Sequence, residues 1–153
     1  MVKKSTLTVL FVLFSLLTGC ATVQMASKDQ DVALKEFQKP AANKAGLYVY
    51  RNSFAGQALK KNVYLDDVLL GETANKVYLY KEIEPGQHQL STESEFSENT
   101  ISFYADAGNN YFVEQYIKMG VFVGGANVRM VTEEEGMKNV RECNLAEIMA
   151  SKP

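Results

Sequence analysis

Gly46-Leu-Tyr-Val-Tyr-Arg51 is the stretch that decides the fold class, because β-branched and aromatic residues alternate there with a period of two. Further short runs of the same kind follow at near-regular spacing, at residues 62–65, 68–70, 77–83, 87–93, 99–105, 111–118 and 127–131. About seven short strands separated by turn signals are typical of a β-sandwich. The sequence therefore predicts an all-β fold, a small antiparallel β-sandwich.

Two turn signals predict how neighbouring strands are joined. Asp66-Asp67 lies between two strand-like runs and predicts a hairpin. Glu84-Pro85-Gly86 predicts a type II turn, because proline presets φ at the second position and glycine tolerates positive φ at the third. The run at 87–93 is then expected to pair with the run at 77–83.

A short helix is predicted on each side of the strands. Ser27-Lys28-Asp29-Gln30 has capping-box spacing, which predicts an N-terminal helix. Thr132 and Glu135 repeat that spacing and predict a C-terminal helix, with residues 145–149 adding a further turn. The inward stripe of the C-terminal helix is predicted to be Met137, Val140 and Cys143. The β-sandwich domain, with this helix, is predicted to span residues 44–150.

The first residues have the pattern of an export signal. Met1 to Lys4 is short and positively charged, and Leu7 to Leu17 is an apolar run of eleven residues. A helix that crosses a bilayer needs about 20 apolar residues, so this run is too short to span one. It has the length of the apolar part of a secretory signal.

The run ends in Leu17-Thr18-Gly19-Cys20, which resembles the lipobox of bacterial lipoproteins. The resemblance implies a signal peptide at residues 1–19, cleavage between Gly19 and Cys20, and fatty acids attached to Cys20. Residues 20–43 then form a tether that contains the short helix. By resemblance to the sorting rules of enterobacterial lipoproteins, Ala21 implies the outer membrane rather than the inner membrane, with the domain in the periplasm. The alternative is an ordinary signal peptide in which the cysteine merely falls near the cleavage point.

Length and charge limit the remaining function classes. A chain of 153 residues has room for one domain, and its formal net charge is −2. No basic stretch is large enough to neutralise several phosphates, so nucleic acid is not expected as a partner. Lipidation of Cys20 leaves Cys143 as the single free thiol, which excludes an intramolecular disulfide.

The residues offer little for catalysis or metal binding. His88 is the one histidine of the chain, so an imidazole-based site would have to be built around it. A Cys143–His88 nucleophile pair has no local motif behind it, and Cys143 is better interpreted as a buried apolar residue. Glu133-Glu134-Glu135 cannot converge on one ion, because successive helical residues point about 100° apart. We therefore expect no enzyme activity, no metal and no cofactor.

Aromatic strand residues offer a candidate interaction surface instead. Alternation places Tyr48 with Tyr50, and Tyr78 with Tyr80, on one face of each strand. Exposed, they would form a platform for a protein partner or a cell-wall glycan; the alternative is that tyrosine simply suits half-buried strands. Gly124-Gly125 predicts a third hairpin, between 121–123 and 127–131. If the apolar stretch before it is exposed, Phe122 adds to a contact patch; the alternative, which we favour, is a packed hairpin.

Taken in order, several short motifs resemble the bacterial domain-of-unknown-function family twenty-eight forty-six (DUF2846), itself similar to PEGA-type domains. They are Leu47-Tyr-Val-Tyr-Arg51, Val63-Tyr-Leu-Asp66, Leu70-Gly71, Pro85-Gly86-Gln87-His88, Tyr111-Phe-Val113, Met119-Gly120-Val121 and Glu133-Glu-Glu-Gly136. The resemblance implies a periplasmic lipoprotein with a PEGA- or transthyretin-like sandwich, and it supplies no activity. Relatives usually carry Asp-Gly where this chain has Asp66-Asp67, which leaves a longer or differently shaped turn open.

These observations favour a membrane-anchored envelope lipoprotein whose domain is a non-catalytic module for protein or glycan interaction. Two alternatives stay open. One is a thiol- or histidine-dependent periplasmic enzyme that uses Cys143 or His88. The other is a structural envelope component without a specific ligand. The partner, the biological process and the oligomeric state do not follow from the sequence.

Overall fold

The computed structural model describes residues 23–94, 99–118 and 124–149. Within these residues the chain forms two helices and nine strands. The helices are α1 (Lys28–Leu34) and α2 (Glu133–Arg141). The strands are β1 (Ala45–Arg51), β2 (Lys61–Leu65), β3 (Val68–Thr73), β4 (Val77–Ile83), β5 (Gly86–Thr92), β6 (Asn99–Ala105), β7 (Asn110–Lys118), β8 (Gly125–Val131) and β9 (Asn144–Leu145).

The strands form two sheets, which confirms the predicted β-sandwich. One sheet has the order β8-β7-β1-β4-β9 and the other the order β3-β2-β5-β6. The apolar core between them takes residues from both sheets, such as Val49 and Leu79 from the first and Val63 and Leu90 from the second. All four are fully buried, so alternation along the strands has placed one apolar face of each sheet inward.

The sandwich is not purely antiparallel, which corrects the sequence prediction. β1 runs parallel to β7, with Tyr48 opposite Phe112, and β4 runs parallel to β9. The remaining pairs are antiparallel. β1 and β7 lie far apart in the chain, and four strands come between β4 and β9; parallel neighbours need such a long crossover connection.

The turn at Pro85-Gly86 does not close a hairpin, and the predicted pairing of 77–83 with 87–93 is wrong. β4 ends at Ile83 in the five-stranded sheet, whereas β5 begins at Gly86 in the four-stranded sheet. Both edges of β4 are already occupied, by β1 and β9, so the chain crosses between the sheets. Gly86 has a φ of +137° at this crossing, a backbone conformation that favours glycine.

The predicted hairpin at Asp66-Asp67 is confirmed. Leu65 of β2 lies opposite Val68 of β3, so the loop has two residues. Asp66 and Asp67 have φ values of 50° and 64°, and positive φ at both central positions is the mark of a type I′ turn. The turn therefore keeps its short length although neither residue is glycine.

The third hairpin exists, but between different strands from those predicted. β7 pairs with β8 in antiparallel register, and Lys118 lies opposite Gly125. Gly125 therefore begins a strand, where the sequence suggested a turn. The predicted strand at 121–123 falls outside the described residues.

Both predicted helices form, and their N-terminal caps differ. In α1 the Ser27 hydroxyl accepts from the Gln30 amide, and the Gln30 side chain accepts from the Ser27 amide, so the capping box is complete. In α2 the Thr132 hydroxyl accepts from the Glu135 amide at 3.2 Å. The Glu135 carboxylate accepts from Arg129.

The predicted helical turn at 145–149 is wrong, because this segment is extended. The Ala146 amide donates to the Tyr78 carbonyl at 2.9 Å, and the Met149 amide donates to the Leu70 carbonyl at 2.8 Å. The segment thus bonds to strands of both sheets, and those bonds replace the ones that a helical turn would have made. Within the described ranges, neither helix has the length and apolar character that a membrane crossing requires.

Candidate interaction surface

The tyrosine face of the five-stranded sheet is covered by the two helices. Tyr48, Tyr50 and Tyr78 are at most 1% exposed. They pack in a second apolar cluster, to which the helix side of the molecule contributes Leu34, Phe37, Met137, Val140 and Cys143. The exposed-platform hypothesis is therefore wrong for these three tyrosines. Half-buried strands alone do not explain them either, because they are core residues.

Ring contacts and hydrogen bonds hold this aromatic cluster together. The Tyr48 ring stacks on Phe112 at 4.9 Å between centroids, and the Tyr48 hydroxyl donates to the Leu34 carbonyl at 3.0 Å. Burial, and then the neighbouring Tyr80, raise the pKa of Tyr48 well above its usual range. Burial is also the first cause of the raised pKa of Tyr78. These phenols therefore stay neutral and serve packing.

Tyr80 differs from the other three, because it is only partly buried and lines an open cleft of about 550 Å³. The centroid of its ring lies 4.6 Å from that of Tyr48, so one side of Tyr80 packs against the buried aromatic cluster. Burial, and then the charge of Glu82, raise its pKa. The cleft is otherwise lined by Ala26, Gln30, Ala33, Leu34, Leu145, Ala146, Glu147 and Ile148.

The walls of the cleft are α1 and the extended segment 145–148, and direct bonds hold them in place. The Ala26 amide donates to the Leu145 carbonyl at 3.0 Å. The Leu145 amide donates to the Asp31 carboxylate, also at 3.0 Å. A mostly apolar, preformed concavity with a few polar groups is the usual form of a binding site. This cleft could hold an apolar side chain or a short apolar segment, with Gln30 and Glu147 as its polar groups.

Three further residues singled out from the sequence lie outside the described residues. They are the cleavage and lipidation residues Gly19 and Cys20, and Phe122 of the apolar stretch. Their predicted roles stay predictions.

Cys143 and His88 are not brought together. Cys143 is 1% exposed in the cluster beneath the helices, whereas His88 lies on β5 in the other sheet. Burial raises the pKa of the Cys143 thiol to about 12, so it is protonated at neutral pH and a poor nucleophile. The geometry contradicts a Cys143–His88 nucleophile pair and agrees with the interpretation of Cys143 as a buried apolar residue.

His88 joins two turns. Its Nδ1 lies 2.6 Å from the Asp66 carboxylate, and its Nε2 lies 2.7 Å from the Glu84 carbonyl. Two acceptors suit a ring that carries a proton on both nitrogens. Burial lowers the pKa of His88, but these hydrogen bonds and the charge of Asp66 outweigh it, and the pKa is raised. These two contacts agree with the structural role that the sequence favoured for His88.

The glutamates at the start of α2 do not act together. Glu135 bonds to Arg129, while Glu133 and Glu134 are exposed in the first turn, where the helix dipole favours negative charge. Across the part of the chain that the structure describes, no three histidine, cysteine, aspartate or glutamate side chains gather as metal ligands would.

Sequence reasoning missed a buried polar group at one end of the inter-sheet core. Arg51 is 0% exposed, and its terminal nitrogen donates to the Leu59 carbonyl. Among the described residues, Nε and the other terminal nitrogen have no hydrogen-bond partner, and burial lowers the pKa of Arg51 to about 10. Nearby in the core, Gln115 donates to the Thr92 hydroxyl at 2.6 Å. The signal was available, because Arg51 continues the inward alternation of Leu47 and Val49.

Comparison with known proteins gives two matches and no structural precedent. A family model described as "Protein of unknown function (DUF2846)" matches residues 41–126. An "Uncharacterized protein" of Haemophilus influenzae is 50% identical over 131 residues, which cover 86% of this chain and 78% of that protein. No solved structure matches the chain. The resemblance to PEGA-type and transthyretin-like domains stays a prediction.

Proposed function

The chain belongs to the DUF2846 family of proteins of unknown function, and from this premise we propose that it is a lipid-anchored, non-catalytic interaction protein of the bacterial cell envelope. The family supplies no activity, so the proposal depends on the residues of this chain. It has two parts, an anchor at Cys20 and a binding cleft beside Tyr80.

The observation that carries the anchor is the sequence Leu17-Thr18-Gly19-Cys20 at the end of an eleven-residue apolar run. A single acyl chain gives only marginal membrane binding, and each buried CH₂ contributes about 0.8 kcal/mol. Two or three chains on Cys20 would therefore hold the protein durably on a membrane. Ala21 after the cysteine favours the outer membrane, with the domain in the periplasm.

The cleft supports the interaction role. Tyr80 offers an aromatic surface, and the adjacent Ala33, Leu34 and Ile148 make the lining mostly apolar. Such a lining suits an apolar segment of a protein partner better than a glycan, whose hydroxyl groups need more hydrogen-bonding partners. Anchoring the cleft at one surface would raise its local concentration towards partners at that surface.

The anchor is tested with a matched pair of cysteine variants in cells. Cys20→Ser should stay unprocessed and lose its lipid, which mass spectrometry of the N-terminal peptide detects. Cys143→Ser is the control, because it removes the other cysteine and leaves the lipobox intact. A Cys20→Ser protein that is cleaved normally and stays as firmly in the membrane fraction would refute the anchor.

The cleft is tested by photocrosslinking in intact cells. A photoreactive amino acid at Ala33, which is exposed in the cleft, should yield discrete protein adducts. The same amino acid at Tyr104, which is 61% exposed on β6, serves as the control. Tyr80→Ala should lower the yield of the adducts from position 33. Equal adduct patterns from both positions, unaffected by Tyr80→Ala, would refute the cleft as the binding site.

The two alternatives make different predictions. A structural component without a ligand would give no discrete adducts from position 33. A thiol enzyme would need Cys143 to react rapidly with an alkylating reagent at neutral pH. Because Cys143 is buried and its pKa is raised to about 12, we expect labelling only after denaturation. Phe54→Cys, at a position 89% exposed, is the positive control for the reagent.

A further inference from the structure

We infer that one edge of the molecule, formed by residues 23–26 and 145–149 and here named the anchor edge, lies directly against the lipid surface. This inference rests on the proposed lipid at Cys20. It adds an orientation. The cleft beside Tyr80 shares Ala26 and residues 145–148 with this edge, so the cleft lies next to the lipid surface, where an apolar segment of a membrane-bound partner can reach it.

The first argument is the length of chain between lipid and domain. Three residue steps separate Cys20 from Val23, the first described residue. A fully extended chain spans at most about 3.6 Å per residue, or about 11 Å for these three. The polar layer on each side of a bilayer is about 5–8 Å thick. The folded domain therefore cannot move far beyond the headgroups.

The second argument is that the chain is fixed to the domain as soon as it is described. Val23 packs against the inter-sheet core. Met25 forms a bridge with Ala146, and the Glu147 amide donates to the Gln24 carbonyl at 2.9 Å. Residues 23–26 therefore do not lengthen the connection between the lipid and the domain. The anchor edge is the part of the domain held closest to the lipid.

The third argument is the chemistry of that edge. Met25, Ile148 and Met149 are 42%, 40% and 50% exposed. Apolar side chains at this depth are stabilised by burial at the boundary between headgroups and acyl chains. Glu147 lies on the same edge, where its carboxylate accepts from the Gln24 side chain. Because this carboxylate would repel anionic headgroups, the edge suits a lipid surface without net charge. Its contact should therefore depend little on salt.

The test uses tryptophan, which the natural chain lacks. Full-length lipidated protein is prepared as Met149→Trp and as Met130→Trp, and each is reconstituted into phosphatidylcholine vesicles that contain brominated acyl chains. Met130 is 38% exposed on β8, at the far edge of the five-stranded sheet from β9. It is a matched control, because both variants replace an exposed methionine.

We expect bromine to quench the emission of Trp at position 149 at least twofold, at low and high salt, and to leave Trp at position 130 nearly unchanged. Flotation of the vesicles separates the two proposals. Protein that floats with both tryptophans unquenched, or with position 130 quenched more, keeps the anchor and overturns the orientation. Protein that does not float overturns both. Blue-shifted emission at position 149 that grows with protein concentration without vesicles would mean that a second copy covers the edge, and would also overturn it.

Discussion

His88 shows how a single side chain can fasten two turns. Asp66 of the β2–β3 turn and Glu84 of the β4–β5 crossing both bond to its ring. The crossing joins the two sheets, while Asp66 belongs to the four-stranded sheet alone. His88, the single histidine of the chain, therefore connects the crossing between the sheets to the β2–β3 turn.

Replacing Asp66 by Asn should lower the pKa of His88. In the native protein this pKa is raised above its ordinary value of 6.5, so the contact stabilises the fold below pH 6.5 and loses its effect as the pH rises through the native value. The single histidine gives one imidazole resonance, whose titration by NMR reports the pKa. Asp67→Asn is the control beside it. An unchanged titration in Asp66→Asn would show that the contact with Asp66 does not raise the pKa of His88 and does not stabilise the fold.

The β2–β3 hairpin carries backbone strain that a single substitution should relieve. Asp67 is exposed and has a φ of 64°, and a residue with a side chain in this conformation costs roughly 1–2 kcal/mol. We expect Asp67→Gly to raise the free energy of unfolding by up to about 1 kcal/mol, measured by urea denaturation. Asp66→Gly is the contrasting variant, because it also removes the bonds to His88 and to the Gln89 amide. A loss of stability in Asp67→Gly would contradict the argument.

Helix α2 packs on β7 through a glycine. A Cβ atom at Gly136 would lie 2.3 Å from the Cβ of Phe112, so the helix and the sheet touch where no side chain fits. Gly136→Ala should therefore lower the free energy of unfolding by about 1–3 kcal/mol, even though alanine gains about 1 kcal/mol in helix propensity. Lys138→Ala, at an exposed position, should change stability by less than about 0.5 kcal/mol. A stabilised Gly136→Ala protein would show that α2 can move away freely.

The strands were largely predictable from local pattern, whereas most of their partners, apart from the β2–β3 pair, were not. Alternation located β6 at Asn99–Ala105 to the residue, and it placed Tyr48 with Tyr50 correctly on one face. It could not show that this face is buried, because α2, which covers it, comes from the other end of the chain. Pro85-Gly86 likewise predicts a turn, but it does not show which sheet the following strand joins. A turn that crosses between sheets and one that closes a hairpin use the same residues.

The candidate site was less predictable than the fold. Tyr80 was identified from its strand, but the cleft also needs α1 and the segment 145–148. That segment was predicted to add a helical turn. Its extended form depends on bonds to Tyr78 and Leu70, which are distant in sequence and leave no local signal. Alternation places Arg51 at the fourth inward position of β1, after Ala45, Leu47 and Val49. That this position is fully enclosed follows only from the assembled sandwich.

The two ends of the described chain hold each other, which predicts a coupled response. Ala146→Pro removes the amide that donates to Tyr78, a bond with a net contribution of about 0.5–1.5 kcal/mol. Hydrogen exchange at the amides of Ala26 and Glu147 should become roughly tenfold faster. Glu147→Ala is the control, because it keeps every backbone amide. Unchanged exchange at Ala26 in the proline variant would show that the N-terminal segment is held independently.

Residues 24 and 147 pair although they are 123 positions apart, so one partner is synthesised well before the other. Ribosomes add about 5–20 residues per second, so roughly 6–25 seconds pass between the synthesis of the two partners. Until the later one arrives, residues 24–26 lack the partners at 145–147 that hold them in the folded domain. The enzyme that would attach the lipid we propose at Cys20 would therefore meet residues 23–26 before the folded domain holds them.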